Sequence, residues 1–371
     1  MKIKNHKYIL FLLLTAIMAN CAMKGQQHKE KHNPDNHDMD VFLLIGQSNM
    51  QGVAPIGSLD TVTLDNVYLF NDKNKWEPAK NIPDSGMNRY STVKRKPVTL
   101  FGPAYTFGRK IQQYTQHAIG IVSNARGATR IEWWQKGFQH DTSFNGESDF
   151  DLFEKAIART KAALATNPRA RLKGILWHQG EADNDPERSP YYMLRLKALV
   201  RDLRIEFDNP ELPFIAGEVA TWNGRGTNVN PIIRNIKKEI PYTDWVSSSG
   251  YTSIDLENND PHFDNLSQRS FGCRYADKAA ELIYHIEPKG AILFASADYK
   301  GRSVLLTGGR YSAVDIERMG ILNTEIASVK VDQGYQISFI NENGERDLTA
   351  SEPSLKSGVP AYIEVKKVKA K

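Results

Sequence analysis

The chain has 371 residues, 40% hydrophobic and 25% charged, with 48 basic against 43 acidic side chains and a net charge of +5. At roughly 100–200 residues per domain it has room for two domains, and its near-balanced charge lacks the concentrated basic footprint that a nucleic-acid partner requires. Two cysteines cannot supply a disulfide framework, and composition at the globular average disfavours disordered, collagen-like and coiled-coil chains.

Lys2, Lys4 and Lys7 precede an apolar run over residues 8–19, and Cys21 follows. This is the layout of a secretory signal over residues 1–20, and the run is shorter than the roughly 20 residues of a membrane-spanning helix. Ile17-Met18-Ala19-Asn20-Cys21 resembles a bacterial lipoprotein cleavage site, although Asn20 stands where a smaller residue is usual. That resemblance implies lipidation of Cys21 and an exported protein, periplasmic or at the cell surface, that touches a membrane only through the lipid. Residues 21–39 are almost without large apolar side chains and are expected to be a flexible tether. Its His28, His32 and His37 lack ligand spacing and are read as solvated rather than as a metal site.

Residues 40–288 alternate strand-length apolar bursts with stretches of helical period, which predicts a three-layer α/β/α sandwich around a parallel sheet. The candidate strands are 41–45, 118–123, 172–177, 213–217 and 245–248. Helices are expected over 105–114, 150–165, 191–207, 231–239 and 267–286. In such a sheet the reactive loops lie beyond the carboxyl ends of the strands, so the segments after Ile45, Ser123 and Trp177 should converge.

After Pro288-Lys289-Gly290 the texture becomes short β-rich runs broken by Gly, Asn and Asp, predicting a small all-β Greek-key domain over 290–371. Phe294, Tyr299 and Gly301 have the spacing F-x-x-x-x-Y-x-G, which resembles a β/γ-crystallin motif; a second copy near Phe339 to Gly344 is degenerate. Calcium sites of that family use two adjacent Asn or Asp residues, then Ser or Thr and Ser. The matching stretch here, Asn323 to Ser328, has Thr324 and Ala327 at ligand positions, so weak or absent calcium binding is expected.

Chemistry concentrates in Gly46-Gln47-Ser48-Asn49-Met50, directly after the first strand. A serine at a strand-to-loop turn holds its hydroxyl exposed and its N–H free to donate to a reacting carbonyl oxygen. It is not the G-x-S-x-G elbow. His262, in Asn259-Asp260-Pro261-His262-Phe263 just before the last helix, is the candidate general base, because a doubly wound sheet can bring first and last loops together.

These segments, with Phe101-Gly102-Pro103, the run from Asn124 through Gly127 to Trp134, and Trp177-His178-Gln179-Gly180-Glu181, resemble the SGNH hydrolases, in their sialate O-acetylesterase and carbohydrate esterase family 6 branch. The resemblance implies removal of acetyl groups from sugar hydroxyls through an acyl-enzyme on Ser48, with neither metal nor cofactor. It implies His262 as base, oxyanion donors from the Ser48 N–H, the Gly127 N–H and the Gln179 side-chain amide, and sugar contacts from Gln47, Asn49, Arg130 and Trp133. For the triad acid, Asp is usual three residues before the histidine, where this chain has Asn259. Glu181 and Asp260 are therefore both candidates, with Glu181 favoured. His178 and the adjacent tryptophans read equally well as core, and Cys273 as a core thiol.

The expected partner is an acetylated glycan such as xylan or a sialic acid. The competing reading, resting on Asn259, is a surface lipoprotein that binds carbohydrate without turning it over.

Overall fold

A computed structural model describes residues 38–94, 99–139, 151–342, 344–355 and 359–368. The expected signal segment, Cys21 and the three histidines of the expected tether lie outside them. The described residues all fall within one compact unit, Pro34–Lys371.

The central sheet has seven strands: β1 (Met39–Gly46), β2 (Val67–Phe70), β3 (Trp76–Pro78), β4 (Ala118–Ser123), β5 (Ala170–His178), β6 (Phe214–Gly217) and β7 (Thr243–Val246). Their order is β3-β2-β4-β1-β5-β6-β7, parallel throughout except for the β2–β3 hairpin at the edge. β1 is buried along its whole length because both of its faces are covered. Val41, Leu43 and Ile45 join one core with helices Leu152–Ala165 (α3) and Tyr192–Glu206 (α4). Phe42 and Leu44, on the opposite face, join a second core with Ala104–Thr115 (α2) and Asn265–Tyr284 (α7). The period of two along one strand thus builds the three layers.

Two details differ from the sequence reading. β2 and β3 were not expected: four and three residues long, they carry too little alternation to stand out. The single helix expected over 231–239 is two short ones, Asn230–Arg234 (α5) and Ile236–Glu239 (α6), broken at Asn235.

The C-terminal part forms two antiparallel sheets. One has three strands, β11 (Ser328–Val331), β8 (Ala291–Ser296) and β9 (Lys300–Leu306), in that order. The other orders β10 (Gly309–Ser312), β14 (Tyr362–Lys367), β12 (Tyr335–Asn341) and β13 (Gly344–Leu348). Their core includes Leu293, Val304, Leu306, Ile337 and Ile363, and Cys273 of α7 enters it, so this part is built directly onto the last helix of the α/β part. Burial pushes the Cys273 thiol up to about 11, in keeping with a core side chain.

Candidate active site

The registers place three loops at one end of the sheet. Leu44 pairs with Ser123 and Gly46 with His178, so the chain leaves β1, β4 and β5 side by side. Gly46 has φ of +135°, and a Cβ there would lie 2.1 Å from the His178 carbonyl oxygen; only glycine lets the two strand ends close this tightly. Beyond it, Ser48–Gln51 makes one helical turn (α1), with Ser48 half-buried at its start. The Ser48 N–H has no acceptor among the described residues, as the first position of a helical turn dictates.

Asn49 bolts this turn to the histidine loop. Its Nδ2 donates to the Pro261 carbonyl at 3.2 Å and its Oδ1 accepts from the Phe263 N–H at 3.0 Å, so one buried side chain grips both neighbours of His262. The same Nδ2 donates to Glu181 Oε1 at 2.8 Å, and Gln268 donates to Asn49 Oδ1 at 3.3 Å. Asn49 is 1% exposed and its polar atoms are all engaged within the protein, so it positions the loops rather than meeting a sugar, contrary to the sequence expectation.

The His262 ring contacts Asp260. The Nδ1–Oδ1 distance is 2.7 Å, and the same oxygen accepts the His262 backbone N–H at 2.8 Å. Asp260 is itself held: its carbonyl accepts from Trp222 Nε1 at 3.0 Å and from the Ser253 hydroxyl at 2.8 Å. Asn259 turns away, with φ of +53°, receiving bonds from Asn223 and Arg225. Its neutral amide therefore says nothing about the charge beside the ring.

Glu181 sits elsewhere. Its Oε1 is 3.3 Å from Nε2 of the fully buried His178, besides the Asn49 bond. Burial on its own would raise this carboxyl, but the charge and hydrogen bond of His178 and the Asn49 amide outweigh it, and Glu181 is held below its ordinary value. His178 packs edge-to-face on Phe263 and Phe271, at 5.7 and 5.0 Å between centroids. The pair thus supports the floor under the histidine loop. The structure gives the ring of His262 to Asp260, reversing the order in which the sequence ranked the two acids.

The second loop is tied down at several points. Asn124 and Arg126 donate their N–H groups to Leu44 and Gly46 carbonyls, and the Asn88 side chain both donates to and receives from Ala125. Gly127 comes next and lies against the serine: a Cβ on it would be 3.5 Å from Ser48 Cβ. Its N–H is held in place by Gln51, whose Oε1 accepts it at 2.8 Å.

Three expectations are corrected by burial. Gln179 is fully buried and its amide donates to the Thr129 carbonyl at 2.9 Å and to Asp183 Oδ2 at 2.5 Å, leaving no hydrogen for an oxyanion. Burial pushes the Asp183 carboxyl up, while the Ile131 N–H and the Gln179 amide pull it partly back. Gln47 is buried as well, its Oε1 facing the Gly180 N–H at 3.4 Å. Trp133 lies in the core beneath the turn Ile131–Trp134, with Trp134 edge-on to Trp177. Arg130 alone of the expected sugar contacts keeps an exposed side chain, its guanidinium over the Trp133 ring and 3.5 Å from Glu132. Sequence reasoning missed Gln51 and Trp222. The spacing of three between Ser48 and Gln51 on a helical turn was the available signal for the first; nothing local marked the second.

Comparison with known proteins decides the family. The carbohydrate esterase, sialic acid-specific acetylesterase family matches residues 38–281. The chain belongs to it. A sialate O-acetylesterase of Pongo abelii is 23% identical over 193 residues, 46% of this chain, and the match spans only 37% of that relative's length. A crystal structure of a protein from Arabidopsis thaliana superposes with a TM-score of 0.56 at 21% identity, covering 68% of this chain and 100% of that one. NanS gives a TM-score of 0.51 at 17% identity over 68% of this chain and 99% of its own. These two likenesses bear on the fold of the α/β part.

Proposed function

We propose that the protein is a serine esterase that removes O-acetyl groups from carbohydrates, a reading in keeping with its family. The observation that carries it is Asn49, which ties the turn bearing Ser48 to both neighbours of His262 while Asp260 holds the far nitrogen of the ring. Ser48 attacks the acetyl carbonyl, His262 takes the proton and returns it to the leaving sugar oxygen, and Asp260 stabilises the imidazolium between the two steps. The negative charge on the carbonyl oxygen falls to the N–H groups of Ser48 and Gly127, each worth a few kcal/mol in the transition state. Arg130, exposed at the edge of the second loop, is the candidate contact for the sugar or a carboxylate on it.

The substrate is an acetylated glycan, a sialic acid or a xylan among them. Residues 1–39 carry the proposal of an exported protein held to a membrane by lipid on Cys21; among the described residues no helix is long and apolar enough to cross one. The test is acetate release from a panel of acetylated glycans and from p-nitrophenyl acetate, by the parent protein and by Ser48→Ala. Turnover by the parent and none by the variant is expected. Glycan binding without acetate release would instead favour the binding lipoprotein.

A further inference from the structure

The Gly127 N–H is already occupied. It is held by a loop whose Asn124 and Arg126 N–H groups bond to β1 and whose Ala125 is gripped by the Asn88 side chain, so the donor itself has little freedom to turn away. Its acceptor, Gln51 Oε1, stands 2.8 Å away, within the 2.7–3.1 Å range at which an oxyanion is received, and close to the flank of Ser48: a Cβ on Gly127 would be 3.4 Å from that oxygen and 3.5 Å from Ser48 Cβ. An amide oxygen on a flexible side chain thus holds the place to which the proposed reaction brings the oxygen of an ester. Ser48 and Gln51 are three residues apart on one helical turn, which sets both on the same side. The Gln51 amide nitrogen has no protein hydrogen bond among the described residues, so only the bond to Gly127 fixes the side chain.

We propose that Gln51 satisfies the Gly127 N–H in the empty enzyme and must yield it to the substrate carbonyl. This rests on the esterase reading above. The contact keeps a half-buried donor from being left unpaired, and the substrate must displace an acceptor of its own kind. The bond exists only in the free enzyme, so its strength is subtracted from kcat/KM and leaves kcat untouched. A net hydrogen bond of this type corresponds to a factor of about two to ten. A carboxylate in place of the amide accepts more strongly and should hold the donor harder.

The experiment compares steady-state turnover of p-nitrophenyl acetate by the parent, Gln51→Met, Gln51→Ala, Gln51→Glu and Ser48→Ala. Met keeps the length of the side chain and loses the acceptor; Ala removes both. For Met and Ala we expect kcat/KM to rise by about two- to tenfold with kcat within about twofold of the parent. For Glu we expect kcat/KM to fall by about tenfold or more at pH 8, the ratio to the parent recovering as the pH is lowered and the carboxyl takes up a proton. Met and Ala variants that fold, by their melting temperature, and show kcat/KM at or below the parent overturn the proposal, as does a rise confined to kcat. A parent without Ser48-dependent turnover sinks the esterase reading instead, so the two failures are distinguishable.

Discussion

Asp260 touches His262 twice through a single carboxylate oxygen, 2.7 Å from the ring Nδ1 and 2.8 Å from the backbone N–H. One contact orients the ring and the other fixes the peptide that carries it, which in the proposed mechanism leaves Nε2 for the Ser48 hydroxyl. Asp260→Asn is therefore expected to lower kcat by roughly 10²–10⁴-fold, since an amide cannot stabilise imidazolium and favours the wrong tautomer. Glu181→Gln, which touches His178 and Asn49, should cost kcat far less. Steady-state kinetics of the two variants decide it; the opposite ranking would return the acid to Glu181.

The parts legible in the sequence were those that local pattern dictates. The apolar burst before Gly46 announces a buried central strand, and the serine after it a strand-end turn. Asp260 and Glu181 were both legible as candidates for the acid, but which of them faces the His262 ring was not, because a sequence gives separation along the chain and not the path of the loop. Asp260 is held beside the ring in part by Trp222 and Ser253, which bond its carbonyl, and Trp222 lies 38 positions away. Gln179 looked like a donor until Asp183, four residues on and folded back over it, took its amide. Trp133 looked like a sugar platform because aromatic side chains suit both a ring and a core, and only the packing of Ile131–Trp134 chooses between them.

Glu181 also predicts a pH dependence of stability. Its carboxyl is held below 4.5 in the folded protein, so it adds stability above that pH, and this is lost as the pH falls through the folded value. Glu181→Gln keeps an acceptor for Asn49 but loses the charge beside His178, and should cost about 1–3 kcal/mol at neutral pH. Thermal melts between neutral and acid pH should show the difference from the parent shrinking below pH 4.5. A gap that stays constant across the range would mean that the charge of Glu181 does not contribute.

Calcium should leave the protein unmoved. In the segment whose sequence resembles a β/γ-crystallin calcium site, both carboxylate oxygens of Glu325 accept from Arg302, at 3.0 and 2.8 Å. The Ser328 hydroxyl donates to the Ser296 carbonyl at 2.6 Å and accepts from the Tyr299 N–H at 3.1 Å. Ala327 has no oxygen on its side chain, and a hard cation asks for six to eight oxygen ligands. Calorimetry of the whole chain with roughly millimolar calcium is expected to show no heat of binding and no rise in melting temperature. A saturable signal that Glu325→Gln abolishes would contradict this.

The last prediction concerns the seam between the two parts. Gly250, in the loop that runs from β7 toward His262, has φ of +83°, and a Cβ there would lie 1.9 Å from the Gly301 carbonyl oxygen at the corner of the β part. Around this contact Ser270 donates to the Ser303 carbonyl at 2.8 Å, Arg274 to the Ser303 hydroxyl at 2.8 Å, and Lys110 to the Leu305 carbonyl at 3.2 Å. Buried Arg269 bridges Asp60 and the Glu317 carbonyl. All but Lys110 of these donors stand on α7, the helix that follows His262, so the β part is expected to brace that helix rather than to supply a catalytic group. Gly250→Ala combines an unfavourable backbone conformation with a clash against backbone that cannot yield, and is expected to destabilise by about 2–4 kcal/mol. Chains cut at Pro288 should lose soluble yield altogether, because Cys273 and its neighbours would be stripped of their covering core. In the folded fraction of Gly250→Ala, counted by burst titration of the serine, kcat per site should remain within about twofold of the parent. A variant with the parent's melting temperature would show that the two parts do not press on each other at this corner.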